Sequence, residues 1–306
     1  MPSLAHARQA VALGSIAGIG VNRPGADVPL ARRVSGTDLT GVSYRVQAQH
    51  GVTTASLAAG AARAALRAAD ADPAAVGMIV VGTSSPDVLW PSTACLVQSE
   101  LKLPLVAAFD LYAAQASLLT AFDVAIRYVG ASTTVLLIGA DSDNQLVDLP
   151  GQASNVKARA AAAAVLRAAN GGAGVLATVS GGAARPARSG NGDRRPVVGG
   201  VGEAVDGCLT KAGLRLDEVD LVVGDQSSPE VMQDWSRQAG LASNRLLLDP
   251  SRYGALLAAA PLTALHDGVV EGRLQDGMIV LVLECGSGPV WAAACLRWQN
   301  TRVNQW

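Results

Sequence analysis

The side chains able to serve as nucleophiles, bases or metal ligands stand mostly apart from one another. Cys95, Cys208, Cys285 and Cys295 are scattered and form no CxxC pair, a pattern expected of reduced thiols in a cytoplasmic protein. Cys285 runs directly into Gly286-Ser287-Gly288. No histidine is placed by sequence to activate that thiol, so a buried structural role is the expectation for it. Of the three histidines, His6 and His50 fall in stretches expected to be exposed. His266 falls at the end of a helical stretch, where a contact with the helix dipole accounts for it. No spacing of His, Cys or carboxylates suggests a metal site, and no cofactor is implied. The glycines of Gly200–Gly207 are not entered from a strand, so they do not read as a phosphate loop. Ser117 has no evident base beside it, which favours a capping or packing role over acylation.

Composition narrows the classes further. The chain has 306 residues, half of them apolar and 16% charged, with 24 basic against 25 acidic side chains. That balance, with no basic cluster, argues against nucleic acid as a partner. No apolar run approaches the roughly 20 residues needed to span a bilayer, so no membrane partner is expected. Val11–Val21 is interrupted by Gly14, Gly18 and Gly20 with no cleavage pattern after it, and reads as a strand rather than a signal peptide.

The elements that must position these residues alternate between β-branched runs and Ala-rich stretches, the pattern of parallel strands with helical crossovers. Strands are expected at Ala10–Ile16, Met78–Val81, Thr134–Ile138, Val175–Thr178, Leu221–Val223, Met278–Leu283 and Val290–Leu296. Their nearly continuous apolar character suits a sheet covered on both faces. Helices are expected at Thr53–Ala69, Ser92–Leu101, Ala116–Val129, Gly202–Ala212, Pro229–Ala239 and Ala258–His266. Met78-Ile-Val-Val-Gly-Thr-Ser-Ser-Pro86 is echoed by Asp220-Leu-Val-Val-Gly-Asp-Gln-Ser-Ser-Pro229, and Val135-Leu-Leu-Ile-Gly-Ala-Asp141 by Ile279-Val-Leu-Val-Leu-Glu-Cys285. Two echoes in one order imply two halves of like topology. The expected division is 1–180, a Gly-, Pro- and Arg-rich linker over 181–200, and 201–306.

These motifs together resemble the β-ketoacyl-ACP synthase III branch of the thiolase superfamily. Gly82-Thr-Ser-Ser-Pro86 and Trp90-Pro-Ser-Thr-Ala-Cys-Leu-Val-Gln98 are similar to the family's "GTSTP…FPSTACLVQ". Ala108-Phe-Asp-Leu-Tyr-Ala-Ala-Gln115 with Asp123-Val-Ala125 resembles "AFDLNAACSGF…LDVA". Asp220–Ser228 falls on "VPHQAN", Ser251–Pro261 on "YGNTSAASIP" with one residue fewer, and Gly286–Trp291 on "GFGAGLTW". The resemblance runs from about Val11 to Trp298. It implies a five-layered αβαβα fold of duplicated halves with mixed, mostly parallel sheets, and a dimer.

The departures concern the chemistry. The family's cysteine nucleophile falls on Gln115, its histidine on Asp225, and its asparagine on Gly254 or Ala255. An amide cannot accept an acyl group, and a carboxylate would repel the enolate charge formed on decarboxylation. The family's CoA-gripping Trp is missing from Arg33–Val52, and its "FGDGAGA" loop becomes Lys157-Ala-Arg-Ala-Ala-Ala-Ala-Ala164. Glu230 replaces an Arg that docks the acidic carrier protein. The reversal would weaken docking, and an acid in a first helical turn is equally well explained by the dipole. The resemblance places Trp90, Ser117, Tyr253, Cys285, Gly286 and Gly288 about the acyl pocket or the dimer interface. Trp90 falls on a Phe that reaches into the neighbouring subunit's pocket.

The leading expectation is an auxiliary, non-catalytic subunit in fatty-acyl or polyketide-type biosynthesis. It would act as a homodimer or beside a triad-bearing synthase III-like chain, with an acyl carrier protein or acyl-CoA as further partners. An enzyme of altered chemistry is the alternative: a malonyl-thioester decarboxylase, acyltransferase or cyclase using Gln115 and Asp225. A third reading is a protein that keeps the old tunnel as a binding pocket.

Overall fold

The computed structural model describes residues 13–23, 27–29, 44–46, 51–114, 116–130, 133–142, 159–169, 172–182, 198–224, 229–247, 256–285, 290–299 and 301–304. The strands are β1 (Ser15–Asn22), β2 (Asp27–Pro29), β3 (Tyr44–Val46), β4 (Val76–Gly82), β5 (Ala107–Leu111), β6 (Thr134–Asp141) and β7 (Ala160–Arg167). They continue with β8 (Gly174–Gly182), β9 (Leu221–Val223), β10 (Leu246–Leu247), β11 (Ile279–Cys285), β12 (Val290–Arg297) and β13 (Arg302–Val303). The helices are α1 (Thr54–Ala68), α2 (Thr93–Leu101), α3 (Ser117–Tyr128), α4 (Val198–Ala212), α5 (Pro229–Gln238) and α6 (Ala260–Val270).

Two sheets carry the same plan. The first is ordered β13-β1-β7-β6-β4-β5 and the second β10-β9-β11-β12-β8. From β5 to β1 the pairings run parallel, parallel, antiparallel, antiparallel. From β10 to β8 they run in the same sequence. The sequence echo is therefore a repeated topology: β4 corresponds to β9 and β6 to β11. The division expected at residue 180 runs through β8, which belongs to the second sheet, while β13 adds to the first beside β1.

Three buried clusters stack between the layers. Leu57, Ala61 and Ala65 of α1 pack on Ile79, Leu136 and Ile138, on the outer face of the first sheet. Leu118, Phe122 and Ile126 of α3 and Leu262 and Leu265 of α6 fill the space between the sheets, against Val80, Leu137, Val280 and Val282. Val205, Leu209, Met232 and Trp235 of α4 and α5 cover Leu281 and Leu283 on the far side. This is the five-layered αβαβα arrangement. Alternate residues of each central strand serve different clusters, which is why those strands read as continuous apolar runs.

Two strands depart from expectation for one reason, the closeness of α1. The first strand runs over Ser15–Asn22 rather than Ala10–Ile16, of which residues 10–12 lie outside the described residues. Glycines that read as interruptions are what the strand needs: a Cβ on Gly20 would lie 2.2 Å from the Ala65 nitrogen, and one on Gly18 2.6 Å from the Ala69 nitrogen. The Ala-rich stretch beginning at Ala160 is a strand, buried through Leu166 and paired with β1 and β6, not a loop. Ala161 and Ala163 face α1, so small side chains are required there, and pairing on both edges overrides alanine's weak strand preference.

His266 does not sit at a helix end, because α6 runs on to Val270. Its ring is fully buried, with Nδ1 3.0 Å from Asp267 Oδ1 and Nε2 2.8 Å from the Asn304 carbonyl. Asn304 in turn donates its N–H to Ile19 O and accepts from the Val21 N–H. The imidazole thus fastens the C-terminal segment over β1.

Cys208 and Cys295 lie together in the cluster beneath α4. Burial pushes both thiols up, Cys295 from 9.0 to about 12. An acid whose folded pKa is raised keeps its stabilising contribution below the unfolded value and loses it as pH rises through the folded one. Stability is therefore expected to fall as pH rises from about 9 to about 12, the span of the Cys295 shift. A Cys208→Ala, Cys295→Ala chain should show a flatter decline in chemical denaturation across that range. At pH 8 neither thiol should react with a disulfide reagent until the chain unfolds, as peptide mapping would reveal.

Candidate functional site

The structure converges on the first turn of α3. Strand β5 leads into Ala113 and Ala114, the latter with φ +48°. Ser117 closes this turn: its fully buried hydroxyl donates to Ala114 O at 2.6 Å and accepts the Ala113 N–H at 3.0 Å. Both hydrogen-bonding functions are committed to the backbone of Ala113 and Ala114, just before position 115 in sequence, so Ser117 shapes the turn and is not poised as a nucleophile. Leu257, which opens the 3-10 turn Leu257–Ala259, also has φ +48°. A left-handed conformation costs a non-glycine residue about 1–2 kcal/mol. In sequence, these two strained points lie one residue from position 115 and two from position 255.

Close backbone packing holds the turn in place. A Cβ on Gly82 would lie 2.7 Å from Ser117 O, and one on Gly139 1.9 Å from Ala258 O and 3.0 Å from Leu118 Cδ1. Any side chain at either glycine would push α3 or the Leu257 turn off the ends of β4 and β6.

The polar groups around this point are chiefly carboxylates that accept backbone N–H groups. Helix α3 has no side-chain cap of its own at Ala116. Glu284, buried on β11, supplies one from the other half of the chain by accepting the Leu119 N–H at 2.7 Å. Asp87 accepts the Thr54 and Ala55 N–H groups at the start of α1 with its two oxygens. Asp110 does the same for Thr93 and Ala94 of α2. Each pair of bonds satisfies orphan donors and complements the helix dipole.

Asp141, at the end of β6, is the most connected carboxylate. Its Oδ1 accepts Ser84 N–H, Ser84 Oγ and Ser85 Oγ at 2.8 Å each, with Thr83 Oγ1 at 3.3 Å. Its Oδ2 accepts the Ala258 N–H at 3.0 Å. Burial pushes this carboxyl above its ordinary 3.8, while the surrounding donors pull the other way. Asp141 thereby joins the Thr83–Ser85 loop of one half to the Leu257 turn of the other.

Gln115, Asp225, Tyr253, Gly254, Ala255, Gly286 and Gly288 lie outside the described residues. Ser117 is at the site as just described. Cys285 is not brought to α3. On β11 successive side chains face opposite layers, and Cys285 lies with Leu281 and Leu283 in the cluster under α4, whereas Glu284 faces α3. Cys285 is a buried thiol on the α4 side of the sheet. Glu284 and Asp141 are the residues that sequence reasoning overlooked. The available signal was an acid at the end of an apolar run, in Ile279–Cys285 and Thr134–Asp141, since buried carboxylates need dedicated partners.

Trp90 stands at the surface. Leu89 and Trp90 are 88% and 86% exposed, yet the segment that carries them is held at both ends. Asp87 is fixed to α1, and Ser92 caps α2 by accepting the Cys95 N–H at 3.3 Å. Strand β5, which carries the other cap of α2, is the edge strand of its sheet. Among the described residues no group of His, Cys, Asp or Glu could hold a metal ion, and no helix is long and apolar enough to cross a membrane.

Known proteins share this architecture. Residues 209–298 match the family described as 3-oxoacyl-[acyl-carrier-protein (ACP)] synthase III C terminal. A β-ketoacyl-[acyl-carrier-protein] synthase III of Xylella fastidiosa is 31% identical over 284 residues, covering 85% of this chain and 88% of the relative. The crystal structure of 3-oxoacyl-[acyl-carrier-protein] synthase III from Aquifex aeolicus superposes with a TM-score of 0.82 at 28% identity, over 93% of this chain and all of that one. OleA of Xanthomonas campestris, 20% identical with a TM-score of 0.80 over 93% of this chain and 98% of that one, shares the fold.

Proposed function

The chain belongs to the β-ketoacyl-ACP synthase III family, and from that premise we propose that it is a non-condensing partner subunit, paired with a triad-bearing chain of the same family in fatty-acyl or polyketide-type biosynthesis. The observation that carries this reading is the rigid display of Leu89 and Trp90. Two large apolar side chains held out from a doubly anchored segment are characteristic of an interface anchor, because little ordering entropy remains to be lost on binding. The adjacent edge strand β5 leaves backbone groups open for the same partner.

Sequence supplies the chemical half of the argument. Gln115, Asp225 and Gly254 or Ala255 stand where the family has Cys, His and Asn. Gln115 has no ionisable atom with which to form a thioester. Asp225 and a small neutral residue offer no donor to a developing enolate oxygen. The described part of the site adds no substitute, since Ser117, Glu284 and Asp141 are all engaged with backbone N–H or C=O groups.

Intact-mass spectrometry of the chain alone with acetyl-CoA and malonyl-acyl carrier protein tests this. No acyl adduct, no β-ketoacyl product and no CO2 are expected. An adduct or a product would overturn the reading, and CO2 release abolished by Gln115→Ala would replace it with thioester decarboxylation.

A further inference from the structure

One edge of each sheet is covered by a chain segment that crosses from the other half. In the first sheet β1 is eight residues long, and beyond it lies only the two-residue β13. Residues 301–304 meet that edge group by group. The Thr301 hydroxyl donates to Ile16 O at 2.8 Å, Arg302 and Val303 pair parallel with Gly18 and Ile19, and the Asn304 N–H donates to Ile19 O at 3.2 Å. The Asn304 side-chain oxygen accepts the Val21 N–H at 2.9 Å, and its carbonyl lies 2.8 Å from Nε2 of the buried His266. In the second sheet β8 holds the place of β1. There the Leu13 N–H donates to Val175 O at 2.8 Å, and the Val175 N–H donates to Gly14 O at 2.7 Å. The exchange is reciprocal: residues just before β1 cover the second sheet, and residues just after β12 cover the first.

An uncovered strand edge is a template for another extended chain, unless charge, proline or a short length protects it. Strand β1 has none of these: Ser-Ile-Ala-Gly-Ile-Gly-Val-Asn carries no charged residue and no proline over its eight residues. Its protection is the segment laid on it. Helix α1 rests over β1 and β7, against Gly18, Gly20, Ala161 and Ala163. The outer edge of β1 is therefore open sideways once that segment is withdrawn. Two such edges are self-complementary, because they can run antiparallel about a twofold axis.

We propose that residues 301–304 are an intramolecular edge plug, and that the β1 edge beneath them is a latent pairing surface for a second copy of this chain. With the plug in place, β5 is the long edge of this sheet left for association. The proposal depends neither on the loss of condensing chemistry nor on a triad-bearing partner.

The experiment compares the full chain with one that stops after Gln299, by sedimentation velocity over a range of concentrations and by amide-resolved hydrogen exchange. The shortened chain is expected to form a species of twice the full chain's own mass, with the Val21 amide protected in it. A synthetic peptide of residues 300–306, added in excess, should reverse the doubling. In dilute solution, before pairing, the Val21 amide should exchange about tenfold faster than in the full chain. Equal masses for the two folded chains at every concentration overturn the proposal. So does a doubled species in which Val21 exchanges freely, or one that the peptide leaves intact. Should the shortened chain fail to fold, Thr301→Ala combined with Asn304→Ala in the full chain decides, since it removes two of the edge bonds. Doubling at high concentration is expected of that variant, and an unchanged mass overturns the proposal.

Discussion

Replacing Asp141 by alanine is expected to destabilise the chain by about 3–5 kcal/mol, enough to unfold a large fraction of it at moderate temperature. The carboxylate accepts bonds from Thr83, Ser84, Ser85 and Ala258 at one buried point. Removing it strands both backbone and hydroxyl donors away from water, and a buried unsatisfied donor costs about 1–3 kcal/mol. The loss also disconnects the Ser84 loop from the Leu257 turn, so the two halves should lose cooperativity in denaturant unfolding. Asp141→Asn should cost less, because one amide oxygen still accepts. Burial raises the Asp141 pKa, so its ionisation in the folded state costs stability as pH rises above 3.8. The Asn variant has no such dependence. The stability gap between wild type and Asp141→Asn should therefore narrow as pH rises from 4, measured by urea unfolding at each pH.

The second large effect concerns association. Leu89→Asp or Trp90→Asp should weaken binding to a partner subunit by about 30-fold or more, the scale of an anchor worth at least 2 kcal/mol. Neither substitution should alter the melting temperature of the isolated chain, since both side chains are in solvent there. That combination separates an interface role from a folding role. Isothermal titration of the variants against the partner measures the first, and calorimetric melting the second. Loosening the segment should act in the same direction with a smaller effect. Ser92→Ala removes the cap at the start of α2, and pre-organisation of Trp90 with it.

Much of this architecture was legible because the strands that build the two sheets carry their burial in their composition. The runs around Val80, Leu137, Val222 and Val282 are apolar on both faces, and their order exposed the duplication. What the pattern hid was decided by contacts distant in sequence. Gly18 and Gly20 look like breaks until α1 is laid across them, and the alanines from Ala160 look like anything but a strand until β1 and β6 flank them. His266 reads as a helix end because nothing local shows that α6 continues or that Asn304 returns to meet the ring.

The site was legible in a different way. Motif matching points to Gln115, Asp225 and Gly254 or Ala255, which lie outside the described residues, and it searches for what a family uses while passing over what supports it. Glu284 caps a helix 165 residues away, and Asp141 accepts from a residue 117 positions on. No local spacing encodes either bond. Cys285 drew attention through its neighbours Gly286 and Gly288, whereas the alternation of β11 turns it toward α4.

Native mass spectrometry of the co-expressed pair separates partnership from catalysis. The chain would be produced together with a synthase III-like chain from the same source that retains the Cys–His–Asn triad. A one-to-one complex, lost on Trp90→Asp, is the predicted result. A stable homodimer of this chain that leaves the triad-bearing chain unpaired would contradict it.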